Sequence, residues 1–259
     1  MRGRSVRLLV SIGLATALAT AAGCGNNLAV TNGAVANSAD APHLTKAEFV
    51  PALDRAMTVA GSVHMEVHES TGGKTSVAIE DASMVAGGNI RISLRDRAGV
   101  FGRPSTETHE VRLVGSRMFI SAPGRKGKFF GYGTSDPRTL CGCMARHLRY
   151  DVSPAGRLAV WRQGLVGLQF IGLDAQDGLY LEHYRAQVDP VRLLGAKLSH
   201  RLKLPTRLDY EVWLDSSHLI RHLTGKVLGI EADVTYSDWG KRIDVDEPGP
   251  KDLVDPTRA

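Results

Sequence analysis

The spacing of apolar positions changes several times along this chain, and each change marks an element. Thr45-Lys46-Ala47-Glu48 has the form of a helix capping box. Phe49, Leu53 and Met57 then fall on one helical face up to about Ala60, and Gly61 is a natural stop. Pro51 comes too late for the first helical position and is expected to limit the first turn. The period then drops to two. Val63, Met65 and Val67 alternate with His64, Glu66 and His68, and Thr71-Gly72-Gly73-Lys74 reads as a turn. Residues 75–86 read as a strand of ambiguous phase, and Gly87-Gly88-Asn89 turns the chain again. Ile90, Ile92 and Leu94 alternate with charged or polar residues, as do Val111 and Leu113; Met118 and Ile120 follow the Gly115-Ser116 turn. These are successive hairpin strands with one aliphatic and one charged face.

Residues 123–150 carry no clear period and read as a long loop containing PGRKGKFFGYG and TLCGCMARH. Ser153-Pro154 starts a helix, with Ser as cap and Pro at the first helical position. Leu158, Trp161 and Leu165 mark its buried stripe. A strand is expected near 179–188, a short helix near 191–199, and three closing strands near 207–215, 219–228 and 230–239. Tyr210, Val212 and Val234 lie on the apolar sides of two of these. Nine or ten antiparallel strands with a few helices make an α+β protein: a large curved antiparallel sheet with helices covering its concave face. A sheet of this size under so few helices can leave unfilled aliphatic volume, which in an exported lipoprotein suggests a lipid pocket, although the stripes alone do not distinguish a packed core from a lined cavity.

The N-terminus changes the setting. Residues 1–7 carry three Arg and no acid, and the next fifteen residues are apolar. That run is too short to span a bilayer comfortably and reads as a signal peptide over 1–23. It ends in Ala21-Ala22-Gly23-Cys24, which resembles a lipobox with Ala21 in place of the usual Leu. Cys24 is the expected site of acylation, with a membrane tether over 24–42, a folded domain over 43–248 and a loose proline-rich tail over 249–259. Multiple acyl chains hold a protein stably to a membrane. The expected place is the outer face of a bacterial cell membrane, and a membrane transporter is a candidate partner. Removing residues 1–23, with their three Arg and no acid, takes the net charge of +5 down to +2. The exported chain therefore lacks the charge of a phosphate-tracking protein, and no nucleic-acid partner is expected.

Several stretches resemble the actinobacterial LppX/LprA/LprF/LprG lipoproteins. They are Asp177-Gly178 with Glu182-His183-Tyr184, Val188-Asp189, Leu204-Pro205, Tyr210-Glu211-Val212-Trp213-Leu214-Asp215, and Val234-Thr235-Tyr236-Ser237-Asp238-Trp239-Gly240-Lys241. The capped helix followed by Gly61-Ser62-Val63 is similar too, so the likeness covers about 43–248. It implies a LolA-like half-barrel, a hydrophobic cavity, carriage of acylated lipid or glycolipid across the envelope, and no catalytic residues. Candidate cavity-lining residues are Val63, Met65, Val67, Ile90, Ile92, Leu94, Val111, Leu113, Met118, Ile120, Leu158, Trp161, Leu165, Tyr210, Val212 and Val234. Two departures stand near the expected cavity mouth: Phe129-Phe130 replaces a common Trp, and Cys141-Gly142-Cys143 is not a family feature.

Other chemistry is thin. Cys141 and Cys143 are a candidate disulfide in an oxidising compartment; free thiols and a soft metal site with His147 are the alternatives. His64, Glu66 and His68 share a strand face, as a chelating row or, more commonly, a solvated one. Arg125, Lys126 and Lys128 form a basic turn suited to anionic headgroups or plain solvent. Asp238-Trp239 reads as structural. Neither G-x-S-x-G nor H-E-x-x-H occurs. No enzyme, cofactor or resident metal is expected.

Overall fold

The structure is a computed structural model that describes residues 43–85, 87–95, 107–176 and 178–255. The expected signal peptide, Cys24 and the tether lie outside the described residues.

Helix α1 (Lys46–Ala60) opens the domain. The Glu48 carboxylate accepts from the Thr45 backbone N–H at 3.0 Å and from its hydroxyl at 2.7 Å, which completes the start. Gly61 ends the helix at φ 71°, its N–H donating to the Met57 carbonyl. The helix runs through Pro51 rather than being limited by it. Phe49, Leu53 and Met57 are wholly buried, as the helical spacing predicts.

Strands β1 (Ser62–Thr71), β2 (Lys74–Ser83), β3 (Ile90–Arg95), β4 (His109–Val114), β5 (Arg117–Ser121) and β6 (Phe129–Gly133) follow. The β1–β2 hairpin turns on Gly72 and Gly73, both at positive φ, the geometry of a tight two-residue turn. After β6 come α2 (Leu140–Val152), α3 (Pro154–Arg157) and α4 (Ala159–Gly164). Strands β7 (Leu165–Gln176) and β8 (Leu179–Val188), helices α5 (Pro190–Leu194) and α6 (Ala196–Arg201), and strands β9 (Leu208–Leu214), β10 (Ile220–Val227) and β11 (Ile230–Ser237) complete the order.

Among the described residues, eleven strands form one antiparallel open sheet, ordered β6-β5-β4-β3-β2-β1-β11-β10-β9-β8-β7. This order explains the helical layer. The chain leaves the sheet at the β6 edge and re-enters at the β7 edge, so α2, α3 and α4 cross between the two edges. They carry buried Leu148, Val152, Leu158 and Trp161 into one cluster with the sheet residues. The α+β class expected from the pattern, a large antiparallel sheet with helices over one face, is the one observed, and it is consistent with the half-barrel that the family resemblance implies.

Four expectations change. The segment 123–150 is not a long loop: it holds β6 and most of α2. The helix expected through Leu165 breaks into α3 and α4, and Leu165 begins β7. β7 hid its alternation because its register shifts at two bulges, each beside a glycine (Gly167 and Gly172). Finally, the tail is held as far as the described residues go. The Val254 N–H donates to the Phe129 carbonyl at 2.9 Å, Lys128 pairs with Asp252 at 3.1 Å, and Arg117 pairs with Glu247 at 2.7 Å. Val245 and Pro248 are buried in the same segment, which shields the outer side of β5 where Phe119 is wholly buried.

One buried ion pair pins the helical layer to the sheet. Glu80 lies on the core side of β2, opposite Met65 and Ile92, and pairs with Arg157 of α3. Both side chains are 4% exposed. Arg157 also donates through Nε to the Val152 carbonyl at 3.1 Å and approaches the Met65 sulfur at 3.3 Å. This pair explains the ambiguous phase of β2: Glu80 is turned inward while Ile79 is 38% exposed on the other face. Removing one member of a buried pair strands a charge and costs about 3–5 kcal/mol, whereas replacing both with apolar residues is often neutral. Arg157→Ala is therefore expected to lower the unfolding free energy obtained from urea melts by an amount of that order. Glu80→Met with Arg157→Met is expected to recover most of it.

Candidate functional site

The concave side of the sheet is continuous aliphatic surface. Val63, Met65 and Val67 of β1 sit beside Val234 and Tyr236 of β11 on one side, and beside the core-facing residues of β2 on the other. Ile90, Ile92 and Leu94 of β3 pair with Leu113, Val111 and His109 of β4. Of the sixteen expected lining residues, thirteen are buried in one cluster. Val111, Ile120 and Leu165 are partly buried and pack against it. The structure thus gathers all sixteen into one apolar layer. Sequence reasoning missed other members, among them Tyr184, Leu223 and Val227. Their strands were visible, but the alternation alone ranks no residue above its neighbours.

Aromatic side chains close the α1 end. Phe49 meets Trp161 edge-on with ring centroids 5.5 Å apart, and Tyr184 at 5.7 Å. The Tyr184 hydroxyl accepts from the Leu44 N–H at 3.0 Å and donates to Glu182 at 2.6 Å. Burial first, and then the Glu182 carboxylate, hold the phenol above its ordinary pKa. A groove of about 400 Å³ between α1 and α4 has Val50, Pro51, Trp161 and Leu165 among its walls, and Lys46, Asp54 and Arg162 at its rim. An Arg162–Asp54 ion pair at 3.0 Å bridges it. On the sheet itself, Tyr210, Leu223, Gly225, Val227 and Val234 surround a smaller apolar pocket of about 10 Å³.

The remaining candidates separate from this layer. Cys141 and Cys143 are both free thiols on α2, so the candidate disulfide is not formed. Residues two apart on a helix point about 200° apart around the axis, and their Cβ vectors diverge too far for the bridge. Burial raises the Cys141 thiol pKa, the opposite of a reactive thiolate. His147 is exposed on the same helix, and no group of metal-ligating side chains occurs among the described residues. On the wet face of β1, His64 pairs with Asp81 at 2.7 Å and His68 with Glu66 at 2.6 Å. Each imidazole is thus satisfied by a carboxylate. Arg125 and Lys126 are exposed in the β5–β6 turn, whereas Lys128 is engaged with the tail. The Trp239 indole donates to the Ile220 carbonyl at 2.8 Å, a structural role.

The crystal structure of LprF from Mycobacterium bovis is similar, with a TM-score of 0.52 and 16% identity, over 78% of this chain and 96% of that one. Lipoprotein LppX from Mycobacterium tuberculosis aligns over 78% of this chain and 100% of that one, at 14% identity and a TM-score of 0.49. No protein-family model matches the sequence, and no curated protein does. The likeness to LprF establishes an LprF-like fold, the one the sequence resemblance implies.

A polar island sits inside the apolar layer. Asp151 of α2 lies near Glu80, Arg157 and His147. Burial, reinforced by Glu80 and opposed by His147 and Arg157, pushes its carboxyl up to about 6 from an ordinary 3.8. The folded protein therefore holds this proton more tightly than the unfolded chain. Its stabilising contribution is complete below about pH 4 and is lost as pH rises through 6. Asp151→Asn removes this slope. Thermal melts are expected to show the variant matching wild type near pH 4 and exceeding it near pH 7.

Proposed function

We propose that this chain is a membrane-tethered cell-envelope lipoprotein that binds acylated lipid or glycolipid between its sheet and helices and carries it across the envelope. The observation that carries the reading is the continuous aliphatic concave face, covered by helices. Each buried methylene is worth about 0.8 kcal/mol, so one long chain supplies on the order of 10 kcal/mol of gross driving force. Entry requires the α2–α4 cover to move, because the lining side chains pack against one another. The Arg162–Asp54 pair and the Glu80–Arg157 pair are the polar fastenings such a movement must respect. Release into water is slow on the same arithmetic, which calls for a receiving membrane or a membrane protein such as a transporter. Acylated Cys24 at the end of a tether over 24–42 keeps the carrier at the outer face of the membrane. The reading assigns no catalytic residue.

A second reading is an accessory module with a permanently closed core that acts on a membrane partner. Two features favour it: the interior pocket of about 10 Å³ is far too small for an acyl chain, and the edge strand β7 presents Ile171 and Leu173 to solvent. Native mass spectrometry of the full chain, exported in an actinobacterial host, separates the two. A discrete adduct that extracts as an acylated lipid is the expected result. A clean unliganded mass, with no uptake of added lipid, supports the closed module instead.

A further inference from the structure

The apolar pocket on β9–β11 contains one polar group without a partner. Tyr210 is 4% exposed, and its hydroxyl oxygen is buried with no hydrogen-bond partner. Burial lifts the phenol pKa to about 12, so the group is a neutral donor across the working range. A buried, unpaired hydroxyl is a standing penalty that Phe would not incur. Nothing in the surrounding wall relieves it: Leu223, Val227, Ile230 and Val234 offer only carbon at this face. A water there would need at least two polar partners, and among the residues that line the pocket Tyr210 alone has a polar side chain, the buried carboxylate of Glu69 standing outside that lining on β1, opposite Ala232.

The ring position is fixed by the opposite strand. Gly225 is the cross-strand partner of Tyr210, and a Cβ at Gly225 would lie 2.7 Å from the Tyr210 ring. Glycine therefore lets the ring lie flat on β10. The pocket reaches toward the surface past Ile230 and Ala232, which are only partly buried. A partner for the hydroxyl must arrive with an apolar ligand, and it must be an acceptor. A phosphate or carboxylate would carry an uncompensated charge into a carbon-lined wall, so the acceptor is neutral.

We propose that the Tyr210 hydroxyl donates a hydrogen bond to an ester carbonyl of a neutral acylated lipid, seating the junction between acyl chain and backbone at the β9–β11 pocket. This assignment rests on the lipid-binding reading and narrows its ligand to neutral, ester-linked lipid. The pocket must widen to admit the carbonyl, and its half-buried rim at Ile230 and Ala232 is where it gives.

The test compares dioleoylglycerol with its di-O-oleyl ether analogue, which has the same chains and no carbonyl. Full-length protein, stripped of lipid, is titrated with each, as wild type and as Tyr210→Phe. Wild type is expected to favour the ester. The variant is expected to lose that preference, with ester affinity falling about three- to tenfold and ether affinity unchanged. Its melting temperature should stay level or rise, because an orphan donor has been removed. An unaltered ester-to-ether ratio in Tyr210→Phe overturns the assignment while leaving lipid binding intact. Failure of wild type to bind either lipid overturns the lipid-binding reading itself, and the assignment with it.

Discussion

An aliphatic face spread over eleven strands must be kept from water, and no second sheet among the described residues closes against it. Everything on the concave side answers that requirement. The chain order supplies the means, because β6 and β7 are consecutive in sequence yet occupy opposite edges of the sheet. The segment between them has to cross, and the helices it forms become the cover. Helix α1 adds its own buried face beside α3 and β7, and Phe49 reaches Tyr184 of β8. A sheet with the same strands in simple meander order throughout would have no such segment to spend on its concave face.

The cover is tied down by few groups, and several of them are polar. Arg157 reaches through the apolar layer to Glu80, with Asp151 and Tyr236 close by. An all-carbon interface would pack at least as well, since buried ion pairs seldom exceed hydrophobic replacements in stability. What the ion pair adds is a defined position for α3 on β2. On the outer face, the C-terminal segment performs the corresponding task for β5 and β6. It runs past Arg112, Arg117 and Lys128 and buries Val245. The two edges of the sheet are thus treated differently: β6 is bridged to Leu253, and β7 displays Ile171 and Leu173.

Much of this was legible in the sequence where a single physical rule dominates. The capping box at Thr45, the stripe of Phe49, Leu53 and Met57, and the alternation in β1, β3 and β9 all survive because burial on one face decides them. Legibility failed where two rules compete. In β2, the inward Glu80 and outward Ile79 reverse the expected order, for the sake of an ion pair whose partner is 77 residues away. In β7, bulges beside glycines break the period of two. In β6, Phe129 and Phe130 are both apolar yet face opposite sides, because the tail covers the outer one. The cysteines misled for a simpler reason: close spacing in an oxidising compartment suggests a bridge, but α2 turns the two side chains apart. The lining residues were found as a set, whereas the unpaired hydroxyl of Tyr210 needed the structure, since an alternating strand gives no sign of which polar tip lacks a partner.

The central claim is that an acyl chain lies between the concave face and the helices. Trp161 lies on that side, packed against Phe49, while Trp213 lies on the outer face between His183 and His222. Two proteins, each retaining one of these as its sole tryptophan with Phe at the other two positions, report on the two sides separately. Titration with a lipid brominated along its acyl chain should quench Trp161 saturably, at one lipid per protein, and leave Trp213 bright. Equal quenching of both, or quenching of Trp213 alone, would place the lipid outside the layer and contradict the account.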